Sequence, residues 1–249
     1  METLAIIGCG GSGGWVVQLL AKSPKQELNL ILCDADRWSL SNYDRCMMRR
    51  SDVGKLKVAT AYDLLTKAGW ANVEPVPRYL APGTDDWTKM LELPDPLRIL
   101  VCVDNHPARV TCLRLADARH AAGRVTVVVL TGNEYVTAGV DVYLPRWING
   151  PLDPRVRYPE ILKSVEGDPL RPPCTGEALA SSPQLALYNS LSGISGLWLM
   201  DVWAQEEPKF RGDELHETIL NKLPVSVQWT ATGQKTLSYN EVCNADYDT

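Results

Sequence analysis

Apolar runs and helical periodicities alternate along the first half of the chain. Leu4 to Ile7 is a short apolar run, and Trp15, Val16, Leu19 and Leu20 follow it at helical spacing. Leu28 to Cys33 reads as a buried strand. Gly54 to Ala68 reads as a helix with Val58, Ala61, Leu64 and Leu65 on one face. Val73 to Val76 predicts a short strand and Asp85 to Leu91 a short helix. Arg98 to Val103 predicts a buried strand, Pro107 to Ala122 a helix and Val125 to Leu130 another buried strand. Strands that are apolar on both faces and separated by helices make a parallel sheet covered on both sides. The expected fold is therefore α/β, a Rossmann-like, doubly wound, mainly parallel sheet with helices on both faces.

The pattern changes after residue 137. Ala138 to Leu144 alternates apolar and polar, as a half-exposed antiparallel strand does. Pro145 to Pro173 is rich in Pro, Arg and Asp and predicts a long irregular connection. Pro183 to Ala204 predicts a long apolar helix despite Gly193 and Gly196. Val225 to Trp229 and Thr236 to Tyr239 are strand-like, which puts antiparallel strands at the C-terminal side. The whole span, 1–249, reads as one domain. It comprises a core over 1–145, a crossover loop over 146–182, and a helix with strands over 183–249.

Between the first apolar run and the first helix lies Gly8-Cys9-Gly10-Gly11-Ser12-Gly13-Gly14. A strand, a glycine turn and a helix start bring bare backbone N–H groups and a helix N-terminus around an anion. Taken alone, this loop suits NAD or FAD as well as ATP. Twenty-one residues after Gly13, the second strand ends in Asp34-Ala35-Asp36. A carboxylate there either accepts ribose hydroxyls or caps the neighbouring turn. Ser41-Asn42-Tyr43-Asp44-Arg45 and Val53-Gly54-Lys55-Leu56-Lys57 come next. Their cations suit a triphosphate better than the pyrophosphate bridge of a dinucleotide. Asp104-Asn105-His106-Pro107-Ala108-Arg109 closes the fourth strand, where an open α/β sheet meets its ligand. Asp104 and Asp36 could share one Mg²⁺, and Asp104 could equally cap the following helix. Lys55 reads as a surface charge, and Cys9 as a residue packed beneath the loop.

Composition narrows the classes. Of 249 residues, 45% are hydrophobic and 22% charged, and the net charge of −5 comes without a basic block. Nucleic acid is therefore not an expected partner. No apolar run reaches the ~20 residues of a membrane span, and no secretory signal precedes the first strand, so a cytoplasmic protein is expected. The cysteines number seven and form no C-x-x-C pair, which argues against a disulfide framework or a four-cysteine zinc site. His106, His120 and His216 are too scattered for a metal site.

The ordered string G-x-G-G-x-G, D-x-D, S-N-x-x-R, G-x-x-K and D-N-x-x-x-R resembles the ubiquitin-activating-enzyme/ThiF/MoeB superfamily over roughly residues 4 to 145. That resemblance implies ATP-dependent adenylation of the C-terminal glycine of a ubiquitin-like protein. It implies that Gly8, Gly10, Gly11 and Gly13 cradle ATP and that Asp34 holds the ribose. Asn42, Arg45 and Lys57 would grip the phosphates. Asp104, with Asp36 as the weaker candidate, would hold Mg²⁺. Arg171-Pro172-Pro173-Cys174-Thr175 is similar to the segment that carries the catalytic cysteine in ubiquitin and SUMO activating enzymes. A helix N-terminus behind Cys174 would raise its thiolate fraction; the bland reading is an unreactive loop cysteine.

The resemblance further implies a homodimer or a heteromeric complex, a ubiquitin-like or sulfur-carrier protein as partner, and a conjugating-enzyme-like acceptor. Compact relatives of this kind occur in bacterial conjugation and antiviral operons. Two features depart from the family pattern. The first strand has no arginine-bearing helix before it, so that arginine is expected from elsewhere, with Arg49 and Arg50 as unranked candidates. The paired zinc cysteines of many members are missing, so no zinc is expected. Three other readings stay open: a ThiF/MoeB-type sulfur-carrier adenylyltransferase, an NAD-dependent oxidoreductase, and an inactive scaffold partner.

Overall fold

The computed structural model describes residues 2–24, 27–133, 137–163, 186–206, 223–230 and 232–238. Eight strands form a single sheet in the order β3-β2-β1-β4-β5-β6-β7-β8. The parallel half comprises β1 (Glu2–Ile7), β2 (Leu28–Cys33), β3 (Val73–Val76) and β4 (Leu97–Val101), with β5 (Thr126–Asn133) pairing parallel to β4. Beyond β5 the sheet turns antiparallel through β6 (Ala138–Tyr143), β7 (Pro224–Thr230) and β8 (Gly233–Ser238). This is the expected α/β architecture, with the antiparallel strands on the side where the alternating pattern put them.

The strands form where they do because both faces are covered. Every residue of β4 is buried, and Leu4 to Ile7 of β1 lie at or below 4% exposure. Such strands need no polar alternation. The covering helices are α1 (Gly11–Lys22), α2 (Lys57–Lys67), α3 (Asp85–Glu92), α4 (His106–Ala121) and α7 (Ala186–Glu206). The Thr84 side chain accepts the Trp87 N–H at the start of α3, and the Asn105 side chain accepts the Ala108 N–H at the start of α4. Gly193, which interrupts the apolar pattern of α7, marks its closest approach to α1. A Cβ there would fall 2.6 Å from the Ser12 carbonyl oxygen.

Two expectations need correction. The helix expected from Gly54 begins only at Lys57, because Gly54 takes φ +85° and Leu56 is extended. The connection after residue 144 is not wholly irregular: it contains short helices α5 (Pro154–Arg157) and α6 (Glu160–Lys163). A part-buried ionic network fixes α5 to the sheet and α4. The Arg155 guanidinium bonds Asp117 at 2.6 Å, Asp153 at 2.8 Å and the Tyr143 hydroxyl at 2.6 Å. Among the described residues, no helix is long and apolar enough to cross a membrane.

β1 sits between β2 on one side and β4 on the other. The connection after β1 and the connection after β4 turn away to opposite sides, and a crevice opens between the ends of these two strands.

Candidate active site

The glycine loop turns directly off β1. Gly8 takes φ +94° and donates its N–H to the Cys33 carbonyl at 2.8 Å. Gly10 occupies the N-cap position of α1 and has no side chain to satisfy that helix end. No N-cap side chain therefore takes up the first N–H groups of α1, the end of a helix that suits an anion. Gly13 serves the loop differently. A Cβ on it would fall 1.9 Å from the Gly8 carbonyl oxygen, so it lets α1 press against the end of β1.

Asp34, at the end of β2, is 8% exposed. One carboxylate oxygen accepts the Cys9 N–H at 2.7 Å, and the other accepts the Asp36 N–H at 2.8 Å. The turn-capping role is therefore present, and the same residue lines the cavity beside the glycine loop. Burial pushes the Asp34 carboxyl above the usual carboxylate range, against the pull of Lys57 and the two backbone N–H groups.

Lys57, the first residue of α2, lies beside the same loop. Its Nζ is 3.0 Å from Asp36 Oδ2 and 5.7 Å from the Trp38 ring centroid. The other oxygen of Asp36 accepts the Tyr79 hydroxyl at 2.6 Å. Burial works against both charges. Lys57 and the Tyr79 hydrogen bond nonetheless hold Asp36 below the usual carboxylate range, and the charges of Asp34 and then Asp36 hold Lys57 above the usual lysine value.

The segment after Trp38 forms the front wall. Asn42 Oδ1 accepts the Ser39 N–H at 3.0 Å, closing a one-turn helix at Leu40–Asn42. Arg45 lines the cavity, and its backbone carbonyl accepts Asn189 Nδ2 of α7 at 2.9 Å. Among the described residues Asn189 Oδ1 has no hydrogen-bond partner, and it lies 2.7 Å from the place a Cβ on Gly11 would occupy.

At the end of β4, Asn105 takes the helix cap, and Asp104 remains on the cavity wall. Arg109 ties the two strand ends together behind it, donating to the Val103 carbonyl at 3.2 Å and the Thr131 carbonyl at 3.0 Å.

A cavity of about 310 Å³ collects Gly8, Gly10, Gly11, Asp34, Asp36, Asn42, Arg45, Lys57 and Asp104. Gly13 does not line it. Cys174 lies outside the described residues, as does the rest of 164–185. Neither Arg49 nor Arg50 faces this cavity. Arg49 lines a smaller one of about 210 Å³, and the Arg50 guanidinium stacks 5.1 Å from the Tyr43 ring centroid. Cys9 packs fully beneath the loop, and burial raises its pKa well above the usual thiol value. Among the described residues no group of three His, Cys, Asp or Glu could hold a metal by itself. Magnesium needs fewer protein ligands where phosphate oxygens complete its shell, and Asp104 suits that use. Asp36, the weaker candidate, already has one partner on each oxygen, Lys57 on one and Tyr79 on the other.

Tyr79 and Asn189 are cavity residues that sequence reasoning missed. Tyr79 sits in a connection with no motif. Asn189 left one signal, an amide inside an otherwise apolar helix pattern.

The chain is similar to proteins of known structure over nearly its whole length. It matches PaaA at 21% identity and a TM-score of 0.58, over 96% of this chain and 64% of that one. It matches MccB of E. coli in complex with ATP at 19% identity and a TM-score of 0.57, over 96% and 63%. It also matches E. coli MccB with AMPCPP and selenomethionyl MccA at 18% identity and a TM-score of 0.56, over 95% and 63%. The chain thus spans under two thirds of the length of these relatives, and the likeness establishes the fold. The ThiF family model matches residues 2–140, from the first strand to the start of β6. With that match covering more than half of its length, the chain belongs to the ThiF family.

Proposed function

We propose that the chain binds ATP in this cavity and transfers its adenylyl group to the C-terminal carboxylate of a ubiquitin-like protein. The observation that carries the reading is the convergence of an uncapped helix N-terminus, Arg45, Lys57 and Asp104 on one crevice, with Asp34 beside them. An NAD-dependent oxidoreductase has no need of two further cations at its glycine loop. E. coli MccB has been solved with a nucleotide and MccA together, and MccA carries selenomethionine, so it is a polypeptide. That pairing supports a polypeptide as the acyl substrate here.

In the proposed reaction a carboxylate oxygen attacks the α-phosphorus of ATP. The α–β bridging bond breaks, pyrophosphate leaves, and an acyl-adenylate remains. Arg45, Lys57 and the N–H groups of the glycine loop meet the negative charge that builds on the phosphate oxygens. Asp34 would orient the ribose through its remaining lone pairs, and Asn42 would keep the Arg45 segment in place. Asp104 would hold Mg²⁺ together with phosphate oxygens, neutralising charge on them.

A second step belongs to the same proposal. The deprotonated Cys174 thiolate attacks the acyl carbon, AMP leaves, and a thioester forms for transfer to a conjugating-enzyme-like acceptor. Residues 1–249 would act as one adenylation domain, as a homodimer or with a second chain, in a bacterial conjugation or antiviral pathway. The sulfur-carrier reading differs only in needing no thioester on Cys174.

The test is ATP–pyrophosphate exchange with a ubiquitin-like protein that ends in Gly-Gly. Exchange by wild type is expected, and its absence with an intact partner would refute adenylation. Cys174→Ala should retain exchange and lose the thiol-labile carrier adduct. An adduct that survives the substitution would refute the assigned nucleophile.

A further inference from the structure

The Lys57 ammonium does not hang freely over the glycine loop. Its backbone is fixed first: Lys57 N–H donates to the Asp36 carbonyl at 2.9 Å, and Trp38 N–H donates to the Lys55 carbonyl at 2.9 Å. The two segments run antiparallel through the Arg37–Leu56 bridge. The side chain is then fixed by Asp36 Oδ2 at 3.0 Å and by the Trp38 ring. Asp36 is fixed in turn by Tyr79, whose hydroxyl reaches its other oxygen at 2.6 Å from the connection behind β3. At the end of this chain of contacts, Lys57 Nζ lies 3.5 Å from where a Cβ on Gly10 would stand.

We propose that Tyr79 and Asp36 act as a positioning pair that aims the Lys57 ammonium at the phosphates of the bound nucleotide. The inference rests on the nucleotide reading of the cavity. A lysine side chain ordinarily loses the freedom of its flexible stem when it grips a ligand, and one already held in place loses less. An ammonium carries three N–H donors. One goes to Asp36, and the other two have no acceptor among the described residues, which leaves them for phosphate oxygens. Each Asp36 oxygen is engaged once by this arrangement, one by Lys57 and one by Tyr79, and in this proposal Asp36 acts through Lys57. Tyr79 carries no charge of its own, which makes it the clean handle on the pair.

The experiment is calorimetric binding of AMPCPP and of adenosine to wild type, Tyr79→Phe, Lys57→Met and the double variant. Tyr79→Phe should weaken AMPCPP about 3- to 10-fold, the range left when one charge-assisted hydrogen bond is lost and partly compensated. Adenosine affinity should not change, and the Mg²⁺ concentration at half-maximal AMPCPP binding should stay the same. In the Lys57→Met background, Tyr79→Phe should have no further effect. Should Tyr79→Phe fail to fold, Asp36→Asn makes the same comparison in the same two backgrounds. Equal losses for AMPCPP and adenosine would overturn the inference in favour of a ribose or base contact. A shifted Mg²⁺ requirement would overturn it in favour of a metal ligand, and additive losses would show that the pair does not act through Lys57. Wild type that fails to bind AMPCPP would overturn the nucleotide reading and this inference with it.

Discussion

The Asn189 side-chain amide donates to the backbone carbonyl of Arg45 at 2.9 Å, across 144 positions of sequence. A carbonyl only accepts, so the amide nitrogen is the atom that must face it. Asn189→Ala leaves that carbonyl without its donor in a part-buried setting, and a loss of about 1–3 kcal/mol is expected. Urea unfolding measures it. AMPCPP affinity should fall alongside, because the Arg45 backbone loses one of its tethers. Asn189→Asp should be worse than alanine, since a carboxylate repels the carbonyl it faces.

Gly13 has no room for even a methyl group, the nearest obstacle being backbone at 1.9 Å. Gly13→Ala should push α1 away from β1 and destabilise the fold by ~1–3 kcal/mol or more, the range for overpacked sites. A matching alanine at Gly139, whose would-be Cβ has nothing within 4 Å among the described residues, should cost much less. Thermal melting of the two variants side by side makes the comparison.

Asp34 accepts two backbone N–H groups with two oxygens. Asp34→Asn offers one acceptor and turns an NH₂ toward the other donor. A buried backbone N–H then goes unpaired at about 1–3 kcal/mol, and the glycine loop should lose its fixed shape. Hydrogen exchange at the Cys9 amide should accelerate in the variant. An unchanged rate would mean that another group holds the loop.

His106, at the first position of α4, has its Nδ1 buried without a partner among the described residues. Burial, then the nearby Arg109 charge, hold its pKa below the usual value despite Glu160. The unfolded chain therefore takes up this proton before the folded one as pH falls. Its contribution is full above pH about 6.5, the unfolded value, and declines below it toward the folded value. His106→Gln should flatten the stability–pH profile over that acidic interval and leave it unchanged at pH 8.

Much of the parallel half was legible in sequence because β1, β2, β4 and β5 are covered on both faces and read as unbroken apolar runs. The residues of the crevice were legible where they sit at strand ends or in the glycine loop, since topology alone brings Gly10, Asp34 and Asp104 to one edge. Boundaries set by backbone conformation were not: nothing in Gly54-Lys55-Leu56 announces that the helix waits for Lys57. The short helix Pro154–Arg157 was hidden because its Arg155 depends on Asp117 and Tyr143, which lie on distant elements. Tyr79 and Asn189 escaped for the same reason, since each gains its role only from a partner remote in sequence.

The stretch that marks the family ends at residue 140, yet the crevice does not close there. Asn189 reaches back to Arg45, and Gly193 lets α7 lie against Ser12 at the start of the glycine helix. A chimera that joins residues 2–140 to a foreign C-terminal half would therefore inherit a complete set of motifs with one wall missing. Transplanting this nucleotide site into another scaffold requires moving α7 with it, with its amide and its glycine kept in register.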